Sequence, residues 1–465
     1  IREDGDTSLK TLINLDIDEN RSLRPLDGEE TELKEKVRKR KDKNKEQGEE
    51  EHIIYSWKQL IEDGKNAIAL GDRQFIDAEV LGTDPAVILY TSGTTGFAKG
   101  VVLTHRNIVD DLMMAPTILN VNPEDIFFSV LPVHHTYECT CAFLMPLYKG
   151  ASIAFCEGLK YITKNLQEIR PTMLLGVPVL IETLYKKIWK TAKSEGKDKK
   201  LEKLMKLNKK TKKLNINIAK KLAKDILDVF GGRMRVLISG GAAIDPKILQ
   251  FFNDLGIIAV QGYGLTECSP MTALNPDVEK DMKNESVGHL LPGMKVKIVD
   301  ADEEGIGEIC FKGPNVMLGY YNNQEATDEV LKDGWFHTGD LGRVDTDSFI
   351  YITGRKKNVI ITENGKNVFP EELEYELSHI PYIAESMVWG DNEGEGVNST
   401  TIAATVTLDD EEVKEVLGEE YTDEQAQNLV WGEIDKINEH LPLFKKIKKL
   451  NIRKTDFNKT TGMKI

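Results

Sequence analysis

Between Pro85 and about Ile258 the chain alternates short apolar runs with stretches of helical character. The runs include Ile126-Phe127-Phe128-Ser129-Val130-Leu131, Ala151-Ser152-Ile153-Ala154-Phe155, Met173-Leu174-Leu175-Gly176-Val177 and Val236-Leu237-Ile238-Ser239. Strands that alternate with helices predict α/β layers around a largely parallel sheet. From Val287 to Ile352 the rhythm changes to short β-like runs, Val296-Lys297-Ile298-Val299, Glu308-Ile309-Cys310-Phe311 and Phe349-Ile350-Tyr351-Ile352, which suit a small β-barrel or antiparallel sheet. After Gly354 about a hundred residues read as a compact α+β segment, small enough to move as one body. The expected fold class is α/β: a large N-terminal domain of layered α/β subdomains plus a small β-barrel, followed by a small α+β C-terminal domain.

With 465 residues the chain is long enough for two or three domains, and 40% hydrophobic with 29% charged residues is ordinary for a globular protein. Its formal net charge of −15 argues against general nucleic-acid binding, and means that a polyanionic ligand needs a local cationic site. Five cysteines, with no CxxC pair among them, suit a reducing compartment, so a cytoplasmic location is expected. No run is apolar and long enough for a membrane helix, and no signal peptide is visible. The first residue is Ile1, which leads us to expect a piece of a longer protein. The charged stretch Glu29–Glu51 reads as a solvated helix or a disordered insertion, with a docking site as the sharper alternative. The lysine-rich region Trp189–Lys224 reads as exposed helices with Leu201, Leu204 and Leu207 as a buried stripe. A surface for acidic lipid is its alternative, so peripheral membrane association stays open.

Chemistry concentrates first in Thr91-Ser92-Gly93-Thr94-Thr95-Gly96-Phe97-Ala98-Lys99-Gly100, which follows the strand-like Ala86-Val87-Ile88-Leu89. Glycines let backbone N–H groups close on an anion, hydroxyls add donors and Lys99 adds charge, so the loop suits phosphate oxygens. It is not a GxxxxGK[ST] loop, because no hydroxyl residue follows Lys99. Gly262-Tyr263-Gly264-Leu265-Thr266-Glu267 offers an aromatic able to stack on a purine and a carboxylate able to hold Mg²⁺. Ser239-Gly240-Gly241-Ala242-Ala243 offers a wall without side chains. Thr338-Gly339-Asp340-Leu341-Gly342 offers an aspartate for ribose hydroxyls, and Arg355 in Gly354-Arg355-Lys356-Lys357 offers a forked cation.

These five segments, in this order, strongly resemble the adenylate-forming superfamily of acyl-CoA synthetases, luciferases and peptide-synthetase adenylation domains, over roughly residues 80–465. The resemblance implies an N-terminal AMP-binding domain over 1–353, incomplete at its start, a hinge at 354–357 and a mobile C-terminal domain over 358–465. It implies that Thr91, Ser92, Gly93, Thr94, Thr95, Gly96 and Lys99 hold the β- and γ-phosphates of ATP. Gly240, Gly241, Ala242, Gln261, Gly262, Tyr263 and Gly264 line the adenine pocket. Thr266 meets the α-phosphate, Glu267 holds Mg²⁺, and Asp340 with Arg355 binds the ribose. Lys357 is the hinge residue, Lys464 the catalytic lysine, and His135, in Leu131-Pro132-Val133-His134-His135-Thr136-Tyr137-Glu138, the gate of the acyl pocket. Gly365, Lys366 and Asn367 meet the pantetheine arm of coenzyme A. Ala98 departs from the proline most common in the family, and the region before the phosphate loop is short for it.

The implied reaction joins a carboxylic acid to AMP and then to coenzyme A. The helical region before Gly231 and the His-His-Thr-Tyr-Glu segment look like the long-chain fatty acyl-CoA synthetase branch. Two other readings stay open: an adenylation domain that loads an acyl or amino acid onto a carrier protein, and a nucleotide-binding regulator without turnover. A homodimer is equally open.

Overall fold

The structure, a computed structural model, describes residues 11–14, 53–91, 98–212, 228–362, 366–391 and 400–457. Ser92, Gly93, Thr94, Thr95 and Gly96, together with Gly365, Lys464 and the stretch Glu29–Glu51, lie outside the described residues. The chain divides into two compact units, 1–81 and 82–465. In the first, strands β1 (Thr11–Asn14) and β2 (Ile53–Ser56) pair in parallel, and helix α1 (Trp57–Ala69) follows.

The second unit opens with the antiparallel pair β3 (Pro85–Thr91) and β4 (Lys99–Thr104), the two strands that flank the glycine-rich loop. Thr104 starts helix α2 (His105–Met114) as a capping box: its hydroxyl accepts the Asn107 N–H at 3.1 Å, and the Asn107 amide oxygen accepts the Thr104 N–H at 2.9 Å. The predicted alternation then follows. Strands β5 (Ile126–Ser129), β6 (Ser152–Phe155), β7 (Met173–Gly176), β8 (Val236–Ser239) and, after helix α3 (Pro246–Leu255), β9 (Ile258–Gly264) form a parallel sheet in the order β6-β5-β7-β8-β9.

Period-two alternation explains why these strands are apolar throughout. Met173 and Leu175 enter one core with Phe127, Val236, Ile238 and Val260. Leu174 enters the core on the other face with Phe128, Leu237 and Ala259. Both faces are buried, so neither admits a polar residue cheaply.

The β-like region after Val287 does not stand apart from this sheet. Strands β10 (Met271–Leu274), β11 (Gly288–Leu290), β12 (Lys295–Val299) and β13 (Gly307–Lys312) join β15 (Trp335–Val344) and β16 (Phe349–Arg355) in an antiparallel run ordered β9-β10-β11-β16-β15-β13-β12. Strand β9 belongs to both halves. Between β13 and β15 the short strand β14 (Gly319–Tyr320) leaves the run and pairs with β4.

The C-terminal segment carries its own core. Strands β17 (Ile383–Asp391) and β18 (Thr401–Leu408) pair antiparallel, and β19 (Lys449–Arg453) runs parallel to β18. Helices α4 (Pro370–Leu377) and α5 (Asp423–His440) contribute Leu373, Leu377, Val430 and Ile434 to a cluster with Val368 and Ile402. This core is separate from the two that flank the parallel sheet. One contact with the larger part runs through Asp245, the N-cap of α3. Its carboxylate accepts the Lys247 N–H at 2.7 Å, the Tyr375 hydroxyl at 3.1 Å and the His379 Nε2–H at 2.9 Å.

Candidate active site

Strands β8 and β9 lie side by side in parallel, with Ser239 opposite Gln261. Their carboxyl ends therefore bring Ser239-Gly240-Gly241 and Gly262-Tyr263-Gly264 to one edge of the sheet, where open α/β sheets bind ligands. A cavity opens there, and His135, Gly240, Tyr263 and Thr266 are among its lining residues. Ser239 Oγ and Thr136 Oγ1 also belong to the lining, and both are buried without a hydrogen-bond partner. A buried polar atom without a partner is costly, so two of them in one cavity wall suit a ligand that carries polar groups.

The glycine wall has a reason on its far side. A Cβ placed on Gly240 would lie 2.8 Å from Cζ of Tyr137. The Tyr137 hydroxyl donates to the Ile238 carbonyl at 3.1 Å, which locks the ring against the strand end. Tyr137 opens a π-helical segment, Tyr137–Leu144, a helix form common beside functional sites. His135 stands exposed just before it, with Nδ1 accepting the Tyr137 N–H at 3.3 Å. Two residues past Tyr137's neighbour Thr136, the Glu138 carboxyl is fully buried. Burial pushes it up to about 7, even though the Ser129 hydroxyl donates to it.

From Tyr263 the site extends to the ribose candidates. The Tyr263 hydroxyl donates to Oδ2 of Asp340, and Arg355 Nε donates to Oδ1 at 2.7 Å. The pairing of β15 with β16 sets this up, because Asp340 and Arg355 are direct cross-strand partners. Asp340 is buried, and its own N–H donates to the Thr338 hydroxyl at 3.0 Å. Burial, then the nearby Asp340 carboxylate, raises the Tyr263 phenol well above its ordinary range.

A second chain of contacts joins Glu267 to Lys99. Glu267 sits half-buried in the one-turn 3₁₀ segment Thr266–Cys268 that follows β9. Its Oε1 accepts the Tyr320 hydroxyl at 2.9 Å, and the Lys99 ammonium lies 4.9 Å from the centre of the Tyr320 ring. Burial, then Glu267, pushes the Tyr320 phenol far up. Tyr320 was not among the sequence candidates. Its signal is only a tyrosine in Gly319-Tyr320-Tyr321, distant in sequence from both partners. The Asn107 amide, which donates to the Pro314 and Val316 carbonyls at 2.6 and 2.9 Å, anchors the segment that leads into β14.

The remaining candidates fall elsewhere. Gln261 is buried beside the cavity but outside its lining, and its amide donates to the Asn284 carbonyl at 2.7 Å. Ala242 is likewise outside the lining. Lys357 lies in the one-turn segment Lys356–Asn358 just after β16, where burial and the neighbouring Arg355 cation lower its pKa from the usual lysine range. Lys366 and Asn367 are exposed, and Asn367 pairs with Ile361 in a short antiparallel ladder away from the cavity lining.

Residues 6–321 match the family model for AMP-binding enzymes. The chain is 33% identical over 367 residues to fatty acyl-CoA synthetase A of Dictyostelium discoideum, covering 74% of this chain and 53% of that protein. It is 32% identical over 351 residues to the long-chain-fatty-acid–CoA ligase FadD15 of Mycobacterium bovis, covering 72% and 56%. Among solved structures, ATP-bound MatB from Rhodopseudomonas palustris superposes with a TM-score of 0.63 at 28% identity, over 86% of this chain and 70% of that one. This chain belongs to the AMP-binding enzyme family. It spans about half the length of the curated relatives it matches.

Proposed function

We propose that this chain activates a carboxylic acid with ATP, forming an acyl-adenylate and then an acyl-CoA, with long-chain fatty acids as the substrate class. The observation that carries this reading is a cavity lined by Ser239, Gly240, Gly241 and Tyr263, with the Tyr263 hydroxyl bonded onward to Asp340, which pairs with Arg355 outside the lining. The adenine lies against that wall and Tyr263, and the ribose hydroxyls meet Asp340. Lys99 and the glycine-rich loop hold the outer phosphates. The fatty-acid class rests on the ligases named above and on the apolar residues Leu265, Met271 and Leu274 in the cavity lining.

The donor set beside the cavity fits a hard cation. Glu267 is a half-buried carboxylate with one oxygen oriented by a tyrosine, the kind of ligand Mg²⁺ takes alongside substrate phosphates. Bound there, Mg²⁺ supplies positive charge to those phosphates. The protein's own work is alignment and charge neutralisation as the substrate carboxylate attacks the α-phosphorus and pyrophosphate leaves. Thr266 is placed beside the α-phosphate and Lys464 donates to it. The C-terminal segment then turns about Lys357, removes Lys464 and brings Gly365, Lys366 and Asn367 to the coenzyme A arm. The thiol attacks the mixed anhydride and AMP departs.

Pyrophosphate release by the purified chain tests this. Release that needs a fatty acid, with acyl-CoA made once coenzyme A is added, is the expected result. Release without any thioester on coenzyme A favours the carrier-protein reading. Nucleotide binding without release overturns the assignment. Lys464→Ala is expected to slow adenylation roughly 10²–10³-fold while thioester formation from supplied acyl-adenylate survives. Equal loss of both steps removes Lys464 from the role given.

A further inference from the structure

On the antiparallel half of the sheet, Glu308 and Cys310 project from the same face of β13, and His337 on β15 is the cross-strand partner of Cys310. The Glu308 carboxylate, the Cys310 thiol and one His337 ring nitrogen lie within 4.8 Å of one another. Glu308 and Cys310 are buried and His337 is half-buried. His337 Nδ1 is 3.3 Å from Cys310 Sγ and 3.4 Å from Glu308 Oε2.

The nitrogen faces both partners, within hydrogen-bond reach of the sulfur and at a longer reach from the carboxylate. Its distance to the carboxylate exceeds the usual N–H···O length of about 2.9–3.0 Å. Sulfur, nitrogen and oxygen donors that share a tetrahedral Zn²⁺, at about 2.3, 2.0 and 2.0 Å from the metal, stand about 3.3–3.6 Å apart. Both measured separations fall on that edge length. The carboxylate is also oriented from behind, because Glu308 Oε1 accepts the Gly339 N–H at 3.2 Å, a support typical of metal-binding carboxylates.

We propose that Glu308, Cys310 and His337 form a binding site for one Zn²⁺-class cation, in competition with the Lys356 ammonium. A thiolate–imidazole–carboxylate set selects a borderline-soft metal over Mg²⁺ or Ca²⁺, so the site is chemically distinct from Glu267. The thiol releases its proton to solvent as the metal binds, and three protein donors leave a fourth position to water. The competitor is visible: Lys356 Nζ donates to Glu308 Oε2 at 3.1 Å, and its side chain is 57% exposed, free to swing into solvent. Cation binding therefore detaches Lys356, the residue beside the proposed hinge Lys357. The proposal does not depend on the adenylation reading, because its readout is metal binding alone.

Titration of the purified full chain with Co²⁺ tests it. One equivalent is expected to give a thiolate-to-cobalt charge-transfer band that Zn²⁺ abolishes and that Cys310→Ala and His337→Gln both lack. No such band in the parent chain, or a band that persists in Cys310→Ala, overturns the site. Should those variants fail to fold, Lys356→Ala decides: its exposed side chain is dispensable to the core, and it is expected to bind Co²⁺ several-fold more tightly. Unchanged or weaker binding overturns the proposal.

Discussion

At the scale of single residues, Tyr320 shows what a linear motif omits. Its hydroxyl orients Glu267 and its ring receives the Lys99 ammonium, so one side chain spans the two charges assigned to phosphates and metal. Tyr320→Phe keeps the ring and deletes the donor. The expected outcome is a roughly 10-fold higher Mg²⁺ concentration for half-maximal pyrophosphate release, the scale for losing a group that orients a metal ligand. An unchanged Mg²⁺ requirement would remove Tyr320 from that role. Glu138 gives a prediction about pH. Its folded value of about 7 lies above the ordinary 4.5. The folded chain therefore holds more protons than the unfolded chain between those values. The stabilisation from its neutral form is complete below about 4.5 and is lost as pH rises through about 7. Melting temperatures from pH 5 to pH 8 should fall more steeply for the parent than for Glu138→Gln, by the equivalent of at most about 3 kcal/mol. Parallel curves would show that the buried carboxyl does not titrate in this range. Tyr263, Glu267 and Asp340 stand out in the sequence as candidates because each lies in a short segment of distinctive composition. Tyr320 does not, because its role comes from the pairing of β14 with β4, which no local pattern encodes. The resemblance puts Gln261 in the adenine pocket, whereas its amide donates to the Asn284 carbonyl and the residue lies outside the cavity lining.

At the scale of elements, the parallel strands were legible because burial on both faces leaves continuous apolar runs. The antiparallel strands were legible as strands, but their arrangement was not. A short β-like run does not state which edge it joins, and here the run continues the parallel sheet through β9. The glycine wall at the end of β8 is likewise explained by a neighbouring element: Tyr137 of the π-helical segment fills the space a side chain would need. Gly240→Ala forces the locked ring or the strand end to move. Its expected cost is about 1–3 kcal/mol of stability, read as a lower melting temperature, together with weaker nucleotide binding. A melting curve identical to the parent would mean that the wall yields easily.

For the whole molecule, the separate core beneath β17 and β18 means that the proposed turn of the C-terminal segment would open neither core of the parallel sheet. Lys357→Pro restricts the backbone at the proposed pivot. Thioester formation should drop further than adenylation, measured as two separate half-reactions, and equal loss would reject the pivot. The segment was legible as a unit from its α+β pattern. Its attachment was not, because Tyr375 and His379 find Asp245 from more than a hundred positions away. That attachment is lopsided. In the proposed turn, departure of α4 and of His379 just past it takes two of the donors named above from Asp245, yet the Lys247 N–H remains, since it belongs to the turn that Asp245 itself begins. The carboxylate is thereby kept pointing outward in readiness. On the proposed return, one side of this berth would need no rearrangement, and the entropy of ordering would fall on the visiting tyrosine and histidine.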